Sequence, residues 1–83
     1  MPRKAEAAFD NSEWYNLLGL NISYYRRRAG LTQEQLADLV GVSRQHIAMI
    51  EAPKTDKRCS LELLFNVAKV LQVDPSALLS FRE

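Results

Sequence analysis

Apolar positions recur along this chain every three to four residues, and four of the runs open with the same local device. A polar residue able to cap a helix is preceded by an apolar residue, and a second apolar residue stands four positions after the cap. The sets are Leu31-Thr32-Leu36, Val42-Ser43-Ile47, Cys59-Ser60-Leu64 and Val73-Asp74-Leu78. In each, the cap oxygen can take a free first-turn amide while the apolar pair closes over it as a hydrophobic staple. Thr32 with Gln35 also has capping-box spacing. Pro75 follows Asp74 at a first helical position, where its missing N–H costs nothing. Four helix starts are thereby marked.

A further helix lies upstream. Leu18, Ile22, Tyr25 and Ala29 repeat at helical spacing and Gly30 ends the run. Asp10 or Ser12 can cap its start, and Gly19 weakens it slightly by propensity. The fourth helix is expected to turn Leu61, Leu64, Phe65, Ala68 and Leu71 inward, and the short fifth to bury Leu78. No segment alternates with period two for long enough to read as a strand. The pattern predicts an all-α bundle of five helices. Residues 12–83 form the domain, and 1–11 an N-terminal arm. Ala5 to Phe9 can add a helical turn to that arm. Arg3 and Lys4 at its tip can touch phosphate, although a disordered terminus is the plainer reading.

The second and third helices carry the most information. Leu36, Ala37 and Val40 make one apolar face, with Ala37 small where two crossing helices must come close. Gly41 then supplies a left-handed helix stop. Val42 resumes the apolar pattern, Ser43 caps, and Ile47 and Ile50 face inward. Arg44, Gln45, Ala48 and Met49 are left together on the opposite side. Two short helices across a tight turn, with a polar stripe on the second, have the shape of a unit that lays a helix in the major groove of DNA. Arginine can fork onto guanine O6 and N7, and glutamine onto adenine N6 and N7. Ala48 and Met49 can only contact a thymine methyl. The competing place for Met49 is the core.

Charge alters this picture modestly. The 83 residues carry a formal net charge of only +1. Between Leu17 and Ser60, however, seven basic residues face four acidic ones, a local net of +3. Gln33 opens the second helix, where outward amides favour an anion. Cys59 and His46 are single residues of their kinds, so an internal disulfide and a zinc site are both excluded. The apolar runs are far short of a membrane span. No apolar signal-peptide core follows Pro2-Arg3-Lys4, so a cytoplasmic protein without cofactor is expected. A carboxylate pair at catalytic spacing, a phosphate-cradling glycine loop and a nucleophile–histidine arrangement are all missing, which speaks against an enzyme.

Thr32 to Ala52 resembles the helix-turn-helix of the phage Cro and repressor-like family, the XRE-type regulators. The likeness runs from about Leu18 to Leu79. It takes in Gly19, Ile22, Arg26 and Gly30-Leu31-Thr32-Gln33 upstream, and Ser60-Leu61 to Leu71, Val73-Asp74-Pro75 and Leu78-Leu79 downstream. The resemblance implies a five-helix lambda-repressor-like DNA-binding domain. It implies base reading by Arg44, Gln45, Ala48 and Met49, and phosphate binding by Gln33. Ser43 is a further phosphate candidate, and His46, between the two faces of its helix, is either a phosphate neighbour or a simple surface residue. It also implies a structural pair between Arg26 and Glu51. Ala52-Pro53-Lys54 departs from the family, which has a polar residue and then glycine there. Pro53 offers no N–H, so Lys54, Lys57 and Arg58 either replace the backbone phosphate contact by side-chain charge or form a plain solvated basic loop.

The function implied is a sequence-specific double-stranded DNA-binding transcriptional regulator. It would be a repressor acting as a homodimer on a near-palindromic operator, with Leu79 and Phe81 as dimer contacts. The alternative is an antitoxin-type module that also binds a protein partner such as a toxin, with Trp14, Tyr15 and Tyr24 as its patch. A restriction–modification controller is a further option within the first class.

Overall fold

A computed structural model describes residues 9–53 and 59–81, and among them every regular element is helical. The helices are α1 (Ser12–Arg28), α2 (Gln33–Val40), α3 (Arg44–Glu51), α4 (Leu61–Leu71) and α5 (Pro75–Leu78). All four marked starts are helix N-termini. Thr32, Ser43, Ser60 and Asp74 each accept a backbone N–H of the first turn, from Gln35, His46, Leu63 and Ser76 respectively. The Thr32–Gln35 box is reciprocal, with Gln35 Oε1 accepting from the Thr32 N–H at 2.8 Å. The staple residues Leu31, Val42, Cys59 and Val73 are half-buried against the core. Their partners Leu36, Ile47, Leu64 and Leu78 are fully buried within it.

The start of α1 is looser. Asn11 occupies the cap position without a side-chain bond. Asp10, one residue earlier, accepts the N–H and the hydroxyl of Ser12. At the other end Gly30 N–H donates to Arg27 O and Leu31 N–H to Arg26 O, the double bond pattern that closes a helix around a left-handed residue. Ala29 is exposed at this cap, so the inward repeat of α1 stops at Tyr25. Gly41 ends α2 at φ 81°, a conformation that side chains other than glycine adopt only at a cost.

The core is one cluster. It draws Leu18 and Ile22 from α1, Leu36 and Ala37 from α2, Ile47 and Ile50 from α3, and Leu78 from α5, around α4. The arc that α4 buries is Leu63, Leu64, Val67, Ala68 and Leu71. This corrects the expectation for Leu61 and Phe65, which stand 64% and 43% exposed. Most of LELLFNVAKVL is apolar, so its own pattern allows several rotations about the axis. Packing against α1, α2 and α5 together selects one of them. Leu61 and Phe65, four residues apart, are left as an exposed apolar shoulder.

Candidate nucleic-acid interface

Helix α3 is short and two-faced. Ile47 and Ile50 are buried, while Arg44 and Gln45 are exposed. Ala48 is half-buried and Met49 is 36% exposed, so the thioether lies at the surface and not in the core. These four side chains share one outward strip because they occupy i, i+1, i+4 and i+5 on a helix whose other face is anchored. Ser43 spends its oxygen on the cap, accepting from His46 N–H at 3.0 Å. His46 is half-buried beside it.

The far end of α3 is held by charge. Arg26 Nε donates to Glu51 Oε2 at 2.8 Å, and Arg26 Nη2 donates to Glu51 Oε1 at 2.9 Å. The two side chains are 9% and 6% exposed, so this is a buried, two-pronged ion pair. Arg26 Nη1 donates to Leu31 O at 2.8 Å, which ties the α1–α2 junction into the same unit. The bond to Glu51 is the main cause that raises the guanidinium above its ordinary pKa, against the opposing effect of burial. Gln33 Nε2 donates to Glu51 Oε1 at 3.0 Å. The Gln33 side chain is therefore attached to the end of α3, an arrangement that neither helix periodicity nor the family's phosphate contact announces.

A helix-turn-helix family model matches residues 22–78, well over half of the chain. The chain belongs to the XRE-type helix-turn-helix family. It is a transcriptional regulator with a helix-turn-helix DNA-binding domain. An uncharacterized HTH-type transcriptional regulator of Methanocaldococcus jannaschii is 50% identical over 52 residues, spanning 63% of this chain and 76% of the relative. Among solved structures, the restriction-modification controller protein C.AhdI from Aeromonas hydrophila superposes with a TM-score of 0.76 at 27% identity. That match covers 84% of this chain and 99% of the other. A hypothetical transcription factor, NHTF, from Neisseria gives 0.72 at 26% identity, covering 84% and 76%.

The remaining site residues of this XRE-type regulator fall in several places. Lys54, Lys57 and Arg58, like Arg3 and Lys4, lie outside the described residues. Leu79 is 45% exposed. Phe81 is half-buried, and its ring lies 5.5 Å from that of Trp14. Tyr15 packs against the core, whereas Tyr24 is exposed and meets Tyr25 edge-on, so Trp14, Tyr15 and Tyr24 do not form one patch of like exposure. Trp14, Leu61, Leu79 and Phe81 line an apolar groove of about 400 Å³. Two further contacts are not announced by the sequence pattern. Asn21 Nδ2 donates to Leu78 O at 2.9 Å and Ser80 O at 3.3 Å, pinning the end of α5 to α1. Gly19 lies against the α3 backbone, where a Cβ would come 2.2 Å from Ile50 O. No group of metal ligands occurs among the described residues, and no helix there is long and apolar enough to cross a membrane.

Proposed function

We propose that this regulator reads a specific DNA sequence through Arg44, Gln45, Ala48 and Met49, and that it acts as a homodimeric repressor on a near-palindromic operator. The observation that carries the reading is the division of α3: Ile47 and Ile50 inside, the quartet outside, and the helix braced at its far end by Arg26. A rod about 12 Å long held in this way can enter the major groove, roughly 12 Å wide. Arg44 and Gln45 take base edges, and Met49 and Ala48 a thymine methyl. Ser43, His46 and the first turn of α2 at Gln33 take phosphates, joined by Lys54, Lys57 and Arg58.

One such helix reads only a few base pairs. Two copies placed about 34 Å apart, one turn of DNA, double the site and give it two-fold symmetry. The groove at Trp14, Leu61, Leu79 and Phe81 supports a second copy as its cover, since it leaves large apolar side chains in water at the end of α5. Repression by excluding polymerase from the promoter follows the family's habit. A restriction–modification controller is a second reading within the same class, supported by the fold match over nearly the whole of C.AhdI.

The test is selection of bound sequences from random duplex DNA by the wild type and by Arg44→Ala. The expected site is two-fold symmetric, and Arg44→Ala relaxes one base pair per half-site by about 1–3 kcal/mol. Lys54→Ala instead weakens all sequences alike. Retention of full discrimination by Arg44→Ala refutes the assignment.

A further inference from the structure

We infer that Gln33 is a positioning residue for the recognition helix: it clamps the first turn of α2 onto the last turn of α3 through Glu51, and so sets how well the protein tells one DNA sequence from another. The inference rests on the DNA-reading role proposed above for α3.

Glu51 is the last residue of α3. Its Oε1 accepts two hydrogen bonds, from Arg26 Nη2 at 2.9 Å and from Gln33 Nε2 at 3.0 Å, and its Oε2 accepts from Arg26 Nε at 2.8 Å. The carboxylate thus stands where three helices meet. Arg26 ties it to α1 and Gln33 ties it to α2. One brace fixes the distance of a helix end from its neighbour. A second brace from another direction limits its sideways swing. Helix α3 has only eight residues. A small displacement at Glu51 therefore reorients the whole rod, including Arg44 and Gln45 at its start. Bidentate bonds to base edges tolerate little misorientation, whereas phosphate attraction tolerates much.

The bond also directs Gln33 itself. One amide hydrogen goes to Glu51 and the other remains available, so the side chain is held by one hand while the other, with the backbone N–H groups of the first turn, can face a phosphate. Bonds to an ionised acceptor are among the stronger hydrogen bonds, and this carboxylate is nearly buried. Removing the Gln33 amide should thus loosen α3 without unfolding a domain whose core does not include Gln33.

The experiment uses Gln33→Met, which keeps the length of the side chain and loses its donors, with Glu51→Gln and the double variant. Affinity is measured for a selected duplex and for a scrambled one at the same salt. The expected result for Gln33→Met is a roughly tenfold fall in the ratio of the two affinities. Affinity for the scrambled duplex should fall by a smaller factor, about two- to threefold, through the lost side-chain phosphate contact, and its salt dependence should be unchanged, since no charge is lost. In the Glu51→Gln background the same change has a much smaller effect. A role confined to phosphate binding predicts equal weakening on both duplexes and additive effects, and that outcome overturns the clamp.

A second readout is independent of DNA. In 15N–1H spectra of the wild type the Gln33 side-chain amide should be displaced from solvent-exposed values, and the 13C carboxyl resonance of Glu51 should move in Gln33→Met. An amide at solvent-exposed values, or an unmoved carboxyl, also overturns the clamp. A wild type that binds both duplexes equally defeats the DNA-reading role instead, while these resonances still report on the bond.

Discussion

Gly19→Ala is the substitution whose sign separates local propensity from tertiary packing. Gly19 lies in the interior of the 17-residue helix α1. Helix propensity alone makes the change stabilising, by about 1 kcal/mol. The tertiary structure reverses this. The new methyl would lie 2.2 Å from Ile50 O, 3.2 Å from Ile50 C and 3.3 Å from Glu51 Cα, whereas Cβ atoms essentially never approach other atoms below 3.0 Å. All three neighbours are backbone, so no side chain can swing aside. The last turn of α3 must move away by close to 1 Å, from 2.2 Å toward at least 3.0 Å.

Overpacking of this kind costs about 1–3 kcal/mol. The same movement lengthens the Arg26–Glu51 bonds from 2.8 and 2.9 Å. Weakening a buried ion pair adds to the loss. Against the propensity gain, a net destabilisation of about 2 kcal/mol is expected, or roughly 8–16 °C in Tm for a domain of this size. Urea and thermal unfolding of the two proteins measure it. A Gly19→Ala protein as stable as the wild type, or more stable, refutes the close approach of α1 to α3.

Two other outcomes follow from the same structure. Glu51→Ala strands the Arg26 guanidinium in a nearly buried position and is expected to lose about 3 kcal/mol or more, whereas Gln45→Ala, at an exposed position, changes stability by less than about 0.5 kcal/mol. Equal unfolding midpoints for these variants contradict the ion pair. Burial pushes the Cys59 thiol from 9.0 up to about 11. Because the folded pKa is the higher one, this contribution to stability is complete below pH 9 and is lost as the pH rises toward 11. Alkylation by iodoacetamide, which needs the thiolate, should be slow at pH 8 in the folded protein and fast once it is unfolded. Equal rates in the two states show an unperturbed thiol.

Much of the fold was legible in the chain because its signals are local. A cap takes an amide two or three residues away, and a staple closes over five positions. The starts at Thr32, Ser43, Ser60 and Asp74 therefore need nothing from the rest of the molecule. The outward strip at Arg44, Gln45, Ala48 and Met49 was legible for a related reason: the spacing of Ile47 and Ile50 fixes the opposite face of so short a helix.

The rotation of α4 was not legible. Apolar residues surround most of its circumference, and only contact with three other helices decides that Leu63 and Val67 go in while Leu61 and Phe65 stay out. Nor did the chain disclose what Gly19, Asn21 and Gln33 touch. Their partners lie 31, 57 and 18 positions away at the nearest. Gly19 even scored against its helix, because propensity measures one helix in water and not the closeness of a second backbone. Sequence by itself determined which segments are helical and which residues of α3 face out. The family resemblance announced the Arg26–Glu51 pair. The tertiary structure decided that Gln33 joins this brace and that Gly19 lets α1 approach it, since those contacts unite groups that folding brings together from distant parts of the chain.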